Sequence, residues 1–196
     1  VNKKIFIVGP SGVGKTTIAL YISERYNIPF VNTSASKIWP KYGFNDHEDA
    51  HRASALNPSK GLDYQLDIIN DRYLALFKEE EWVCDRSPID NFIYFMLEIS
   101  PYMDQGITEQ FINKCKQTME LGNVLIIIPF TKNIKLEKSH RITNPYYHQM
   151  FSILMEWVLW SKDINISKID RTLVLNQWDF NLRKQIVDEW VKKWWP

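Results

Sequence analysis

Residues Gly9 to Thr16 read GPSGVGKT, a G-x-x-x-x-G-K-T spacing set between two segments of different periodicity. Before it runs KKIFIV (Lys3 to Val8), short, apolar and rich in β-branched residues. After it, Thr16 to Tyr26 places its apolar residues at helical spacing. A strand that turns through glycines into a helix must cross back over its own sheet before the next parallel strand can pair, so this stretch commits the chain to an α/β layout. The remainder repeats the alternation. PFVN (Pro29 to Asn32), WVCD (Trp82 to Asp85), NVLIII (Asn123 to Ile128) and TLVL (Thr172 to Leu175) are short apolar runs without alternation, as strands buried on both faces are. Helical spacing occupies Leu62 to Phe77, Ile89 to Ile99, Thr108 to Leu121, Tyr146 to Trp160 and Asp179 to Trp194. The expected fold is α/β, a three-layer sandwich around a five-stranded parallel sheet.

With 196 residues, 45% of them hydrophobic, and no repeat, low-complexity tract or linker, the chain is expected to form one domain over residues 1–196. Two polar segments, about 33–61 and about 131–144, break the periodicity and read as irregular, an insertion beside the acceptor and a lid. A formal net charge of +1 gives no global field toward DNA or an anionic membrane. Cys84 and Cys115 lie far apart, Cys84 within an apolar run, so no structural disulfide is expected. The N-terminal apolar run is too short for a signal segment and far below the roughly 20 residues that span a bilayer. A cytoplasmic protein without a membrane partner is the expectation, and the oligomeric state stays open.

In the glycine octet the backbone N–H groups of a tight loop can converge on phosphate oxygens while the following helix presents its N-terminus to the same anion. The residues that would cradle ATP in this way are Gly9, Ser11, Gly12, Val13, Gly14, Lys15, Thr16 and Thr17. Lys15 would reach the β and γ phosphates and the Thr16 hydroxyl would join the shell of Mg2+. The alternative is a plain glycine turn with a capping threonine. A second anchor is WVCDRSPIDN, which puts Asp85 and Arg86 at the carboxyl end of a buried strand, where open α/β sheets bind ligands. An acid there can hold Mg2+ or take a proton from an attacking hydroxyl, and the arginine can grip a phosphoryl group; a surface ion pair is the alternative.

These two motifs, followed by HRITNPYY where a lid would stand, make the chain resemble the P-loop kinase superfamily and, within it, nucleoside and nucleotide kinases, above all small phage-type deoxynucleotide kinases and 5-hydroxymethylpyrimidine DNA kinases. The resemblance implies a catalytic set of Lys15, Asp85, Arg86 and Arg141, metal binding by Thr16 and Asp85, and acceptor contacts from Tyr64, Gln65, Arg86 and Asp90. GLDYQL resembles the place where deoxynucleoside kinases read a base with a glutamine, so Gln65 would pair with a pyrimidine edge and Tyr64 would stack. Both could equally be boundary residues of an amphipathic helix. The sequence departs from relatives in two places. VLIIIPF ends without an acid, and Asn32 stands where polynucleotide-kinase-like relatives carry an aspartate. Asp85 is therefore the leading base or metal acid, with Asp90 in reserve.

TKNIKLEKSHRITNPYY gathers Lys132, Lys135, Lys138, His140 and Arg141 in one segment, suited to closing over polyphosphate or to plain solvation. Trp178 could cover adenine or pack. HEDAH (His47 to His51) fits the H-E-x-x-H spacing of zinc peptidases, but FNDHEDAHRASALNPSKG is short, polar and closed by Asn-Pro, a poor helix for such a site. Here Trp39, Tyr42, Phe44, His47, His51 and Arg52 read instead as lining the acceptor side of a cleft, or as a surface excursion packing on its own aromatics.

The function expected is an ATP- and Mg2+-dependent kinase acting on a (deoxy)pyrimidine nucleoside or nucleotide. One rival is a kinase for the hydroxymethyl group of 5-hydroxymethyluracil within modified DNA, with WVKKWWP serving stacking and backbone contact. The other is a P-loop ATPase that needs no acceptor. If Arg141 supplies charge to the transferring phosphoryl group, Arg141→Ala should lower kcat by about 10³ or more with a much smaller change in ATP affinity, measured by steady-state kinetics beside calorimetric titration. An unchanged kcat would make the segment a solvated loop.

Overall fold

The computed structural model describes residues 2–131, 144–161, 164, 166, 169 and 171–194. Four strands, β1 (Lys4–Val8), β2 (Trp82–Cys84), β3 (Val124–Ile127) and β4 (Thr172–Val174), form one parallel sheet in the order β2-β1-β3-β4. Register is continuous across it: Phe6 faces Cys84 on one side and Leu125 on the other, and Ile126 faces Leu173. The expected fifth strand at Pro29 to Asn32 is reduced to one parallel bridge, Phe30 to Val83, on the outer edge of β2. There Val31 N–H donates to the Val83 carbonyl and Val83 N–H to that of Pro29, each at 2.9 Å. Pro29 has no N–H of its own, and β2 is only three residues long, so the ladder has nothing to extend along.

Among the described residues eight helices flank the sheet, the last of them after β4: α1 (Lys15–Tyr26), α2 (Trp39–Tyr42), α3 (His47–Leu56), α4 (Pro58–Phe77), α5 (Pro88–Glu98), α6 (Gln105–Met119), α7 (Pro145–Trp160) and α8 (Phe180–Trp194). Because successive strand residues point to opposite faces, β1 feeds two layers. Phe6 and Val8 enter one with residues of α4 to α7, among them Ile69, Phe92, Phe111 and Phe151. Ile5 and Ile7 enter the other with Ile18 and Ile22 of α1 and Val187 and Val191 of α8. Cys84 and Cys115 are buried free thiols. Among the described residues no helix is long and apolar enough to cross a membrane.

Residues 33–61 are not the irregular insertion expected from their polarity. They hold a short 3-10 turn (Ala35–Lys37), α2, α3 and the first turn of α4. The Asp46 carboxylate caps α3 by accepting the Asp49 N–H at 2.8 Å, and Glu48 and Asp49 lie in the first turn, where negative charge suits the helix dipole. Asn57-Pro58 closes one helix and opens the next: Asn57 accepts the Lys60 N–H at 3.1 Å while Pro58 sits in the first turn of α4, where its missing N–H costs nothing. HEDAH is therefore helical, in a stretch whose composition reads as a poor helix for a zinc site. Phe44, Ala50, Tyr64 and Ile68 make a small third cluster that seats α2 and α3 on α4. The expected lid, with Lys132, Lys135, Lys138, His140 and Arg141, lies outside the described residues, whereas His148 is buried on α7 and stacks on Phe130.

On the opposite layer α1 and α8 are joined by one carboxylate. Asp188 accepts from the Tyr21 hydroxyl at 2.7 Å and from the Tyr26 hydroxyl at 2.6 Å. Burial works against its charge, but the two phenols, Arg25 and Lys192 outweigh that and hold the acid below the usual carboxylate value. A depressed folded value means that the stabilisation is complete above the unfolded value of about 4 and fades as pH falls through the folded one. Asp188→Asn should therefore cost about 1–2 kcal/mol at pH 7, with the gap from wild type closing below about pH 4. Urea melts at several pH values would check this, and a gap independent of pH would refute the charge-assisted role.

Candidate active site

The loop between β1 and α1 turns on Gly9, Gly12 and Gly14, whose φ angles are 156°, 85° and 92°. Gly9 presses on the end of β3: a Cβ there would lie 2.2 Å from the Ile128 carbonyl oxygen, which belongs to the backbone and cannot swing away. The loop opens on a cavity of about 490 Å³ lined by Ser11, Gly12, Gly14, Lys15, Thr16 and Thr17, with Arg86 across from them. Val13 turns its side chain into the core, so of the residues expected around a phosphate it has only backbone to offer. Lys15 is folded back and buried. Its ammonium donates to the carbonyls of Gly9 and, at 2.7 Å, Pro10, and lies 3.9 Å from the Asp90 carboxylate.

Asp85, at the end of β2, accepts the Thr16 hydroxyl at 2.5 Å through Oδ2. Its Oδ1 is buried without a hydrogen-bond partner among the described residues. The neighbouring Arg86 is half-buried. Burial disfavours its charge, but Tyr94, Asp90 and Asp85 more than compensate and hold it above the ordinary arginine value. Asp90, the reserve base, is already engaged. Oδ2 accepts the Ser87 N–H at 2.7 Å and the Ser87 hydroxyl at 2.9 Å in a capping box at the start of α5, and Oδ1 faces the Gly9 N–H and Lys15. Such a carboxylate is built into the loop's support.

A second cavity, of about 450 Å³, opens beside the first between α3, α4 and α5. Tyr64, Gln65, Asp90 and Arg86 line it, as do His47 and His51, so the structure gathers most of the expected acceptor residues around one space. Arg86 belongs to both cavities. Trp39 reaches this wall by donating its indole N–H to the Tyr64 hydroxyl at 2.9 Å and by packing edge-on against His47. Trp178 stands apart, largely exposed after β4.

The polarity of this pocket is set by residues that the sequence did not mark. Arg72 is fully buried, and its guanidinium donates to the Asn91 side-chain oxygen, to the Ser87 carbonyl at 2.9 Å and to the Thr33 hydroxyl at 3.0 Å. Since a guanidinium has donors alone, Asn91 must turn its oxygen to Arg72 and its amide nitrogen away. That nitrogen donates to Gln65 Oε1 at 2.8 Å, so Nε2 is the end of Gln65 left to meet a ligand. At the far wall the Glu98 carboxylate accepts the Tyr147 hydroxyl at 2.8 Å and pairs with His51 Nδ1, while His51 Nε2 lies 3.3 Å from His47 Nδ1. His51 thus bridges His47 on one side and Glu98 on the other. Arg72 and Glu98 carry no motif, Asn91 only closes the WVCDRSPIDN stretch, and a polar residue on a predicted helix is the one available signal.

The chain matches the AAA domain family over residues 4–138. It is 25% identical over 122 residues to the ATP-dependent protease ATPase subunit HslU of Campylobacter jejuni, a match covering 61% of this chain and 25% of the relative, so it spans about a quarter of that protein's length. Among solved structures, the NadR protein in complex with NR superposes with a TM-score of 0.71 at 16% identity, covering 98% of this chain and 50% of the other. Deoxyadenosine kinase from M. mycoides, with dCMP and dCDP, gives 0.69 at 15% identity over 97% of this chain and 98% of the other. Shikimate kinase from Acinetobacter baumannii, in complex with shikimate, gives 0.54 at 13% identity, covering 100% of this chain and 97% of the other. The fold is that of the P-loop kinases.

Because the phosphate loop rests on the contact of Gly9 with Ile128, Gly9→Ala should cost about 1–3 kcal/mol. Gly43→Ala, also at positive φ (69°) but with nothing within 4 Å, should cost about 1 kcal/mol. Thermal melts of the two variants would compare them, and equal losses would show that the backbone gives way at Ile128.

Proposed function

The chain belongs to the AAA domain family, and from that premise we propose that it is an ATP-dependent kinase whose acceptor is a (deoxy)pyrimidine nucleoside or nucleotide. The observation that carries the reading is Arg86, which walls both the phosphate cavity and the pocket beside it. A phosphoryl group passing from one to the other must pass this guanidinium, whose planar fork suits a group bearing several oxygens. An ATPase needs no second pocket joined to the phosphate cavity by a shared arginine. The likeness to deoxyadenosine kinase supports a nucleoside or nucleotide acceptor, while shikimate kinase illustrates that the same fold accommodates other alcohols.

Each residue then has a physical task. The glycine loop offers its N–H groups to the donor phosphates, and Lys15, now bonded to the loop's own carbonyls, exchanges those bonds for phosphate oxygens. Thr16 and Asp85 would hold Mg2+, for which the buried, unpartnered Oδ1 of Asp85 is a suitable hard oxygen. Bound there, the ion would neutralise phosphate charge. Gln65 offers an amide N–H to the base, which suits an acceptor on a pyrimidine edge, and Tyr64 packs beside it. Arg141 is proposed to add charge from the lid. The transfer is catalysed by positioning and charge neutralisation more than by proton abstraction, which agrees with an Asp90 already engaged and an Asp85 bonded to Thr16.

The AAA domain match and the HslU likeness favour a second reading, ATP hydrolysis without an acceptor. Transfer of labelled γ-phosphate to free pyrimidine and purine nucleosides and nucleotides, to DNA containing 5-hydroxymethyluracil, and to water alone would decide among the three. Label is expected on a free pyrimidine nucleoside or nucleotide. Phosphate release indifferent to any acceptor would replace the proposal with the ATPase reading, and label in DNA would replace it with the DNA kinase. Asp85→Asn should lower transfer by about 10²-fold or more while ATP affinity changes little. Full activity would remove Asp85 from the mechanism.

A further inference from the structure

Arg183 of α8 lies beyond the residues matched by the family and far along the chain from the phosphate loop, yet it touches that loop directly. Its Nη1 donates to the Val13 carbonyl at 2.6 Å and its Nε to the Gln177 carbonyl at 2.5 Å. The side chain is 4% exposed. Among the described residues no carboxylate lies within ion-pair distance of it. Burying a cation against neutral carbonyls is costly, so the group is held there at the expense of stability.

The planar trans peptide explains what this cost could secure. In such a peptide the C=O and the following N–H point in opposite directions. With the Val13 carbonyl held outward by Arg183, the Gly14 N–H is directed to the other side of the loop. Gly14 lines the phosphate cavity, whereas the Val13 side chain is in the core beneath it. The contact is also close: a Cβ on Gly14 would sit 3.2 Å from Arg183 Nη1, and the φ of 92° at this position suits glycine. One guanidinium can bridge two carbonyls in a fixed fork, which a lysine ammonium on a flexible stem does not reproduce.

We propose that Arg183 is a positioning residue for the phosphate loop, holding the Val13–Gly14 peptide so that the Gly14 N–H faces a bound phosphate and coupling that orientation to the segment between β4 and α8 through Gln177. The proposal rests on the reading of the loop as a nucleotide site.

The test compares wild type, Arg183→Lys and Arg183→Ala by calorimetric titration with ATP and Mg2+, and follows the Gly14 amide resonance on titration. Wild type should bind ATP with a large shift of that resonance. Both variants should bind at least tenfold more weakly, Arg183→Lys should show a much reduced Gly14 shift, and methylguanidinium should restore affinity to Arg183→Ala. Arg183→Lys keeps the charge, so full affinity and a full Gly14 shift in that variant would overturn the proposal in favour of simple electrostatics. Arg183→Ala that is folded and binds ATP as wild type does would overturn it outright; should Arg183→Ala fail to fold, the Arg183→Lys resonance decides. Absence of ATP binding by the wild type would remove the nucleotide reading itself, a result distinct from equal binding by all three proteins.

Discussion

The site depends on one close approach, that of Gly9 to the carbonyl of Ile128. Two neighbouring strands end there, and the chain leaving β1 can bend over the end of β3 only because no side chain stands between them. The bend sets the start of α1, brings Thr16 to Asp85 across the β1–β2 pair, and puts the Gly9 N–H within reach of Asp90. Asp90 in turn caps α5, so the same carboxylate that supports the loop also fixes the helix forming one wall of the second cavity. The two cavities are neighbours because a single backbone contact aligns the elements that build them.

The strands and the long helices were readable because their signal is periodic. β1, β2, β3, β4, α1 and α4 to α8 fall where apolar spacing put them, within a few residues at their ends. The edge at Phe30 pairs through one bridge where its apolar run predicts a strand, since such a run says nothing about whether a partner strand is long enough to pair with. Residues 33–61 were underread for the opposite reason. α3 is polar on most of its surface, and what makes it a helix is local: the carboxylate of Asp46 at one end and the Asn57-Pro58 junction at the other.

At the site, the sequence located the groups that lie next to one another in a motif and missed those assembled across the fold. Gly9 to Thr17, Asp85 and Arg86 could be found by spacing. Arg72, Asn91, Glu98, Tyr147 and Arg183 could not, because their partners come from other helices and their function is to direct the hydrogen bonds of neighbours. The buried charges are numerous for a chain of net charge +1, and they concentrate around the two cavities. Overall charge is silent about such an arrangement because opposite signs cancel in the sum while remaining separate in space.

The chain of amides from Arg72 through Asn91 to Gln65 has a direction, imposed at its buried end by a group that can only donate. Each amide is symmetric enough in shape to fit either way round, so packing alone would leave the pocket two equally good settings. The arginine breaks that tie. What the pocket presents to a ligand is thus decided by the sense in which two side chains are turned, and a replacement at position 72 able to accept a hydrogen bond would invert donor and acceptor at Gln65 without altering a residue of the amide pair. Discrimination here is a matter of orientation inherited along a relay, and its sense is set in the interior.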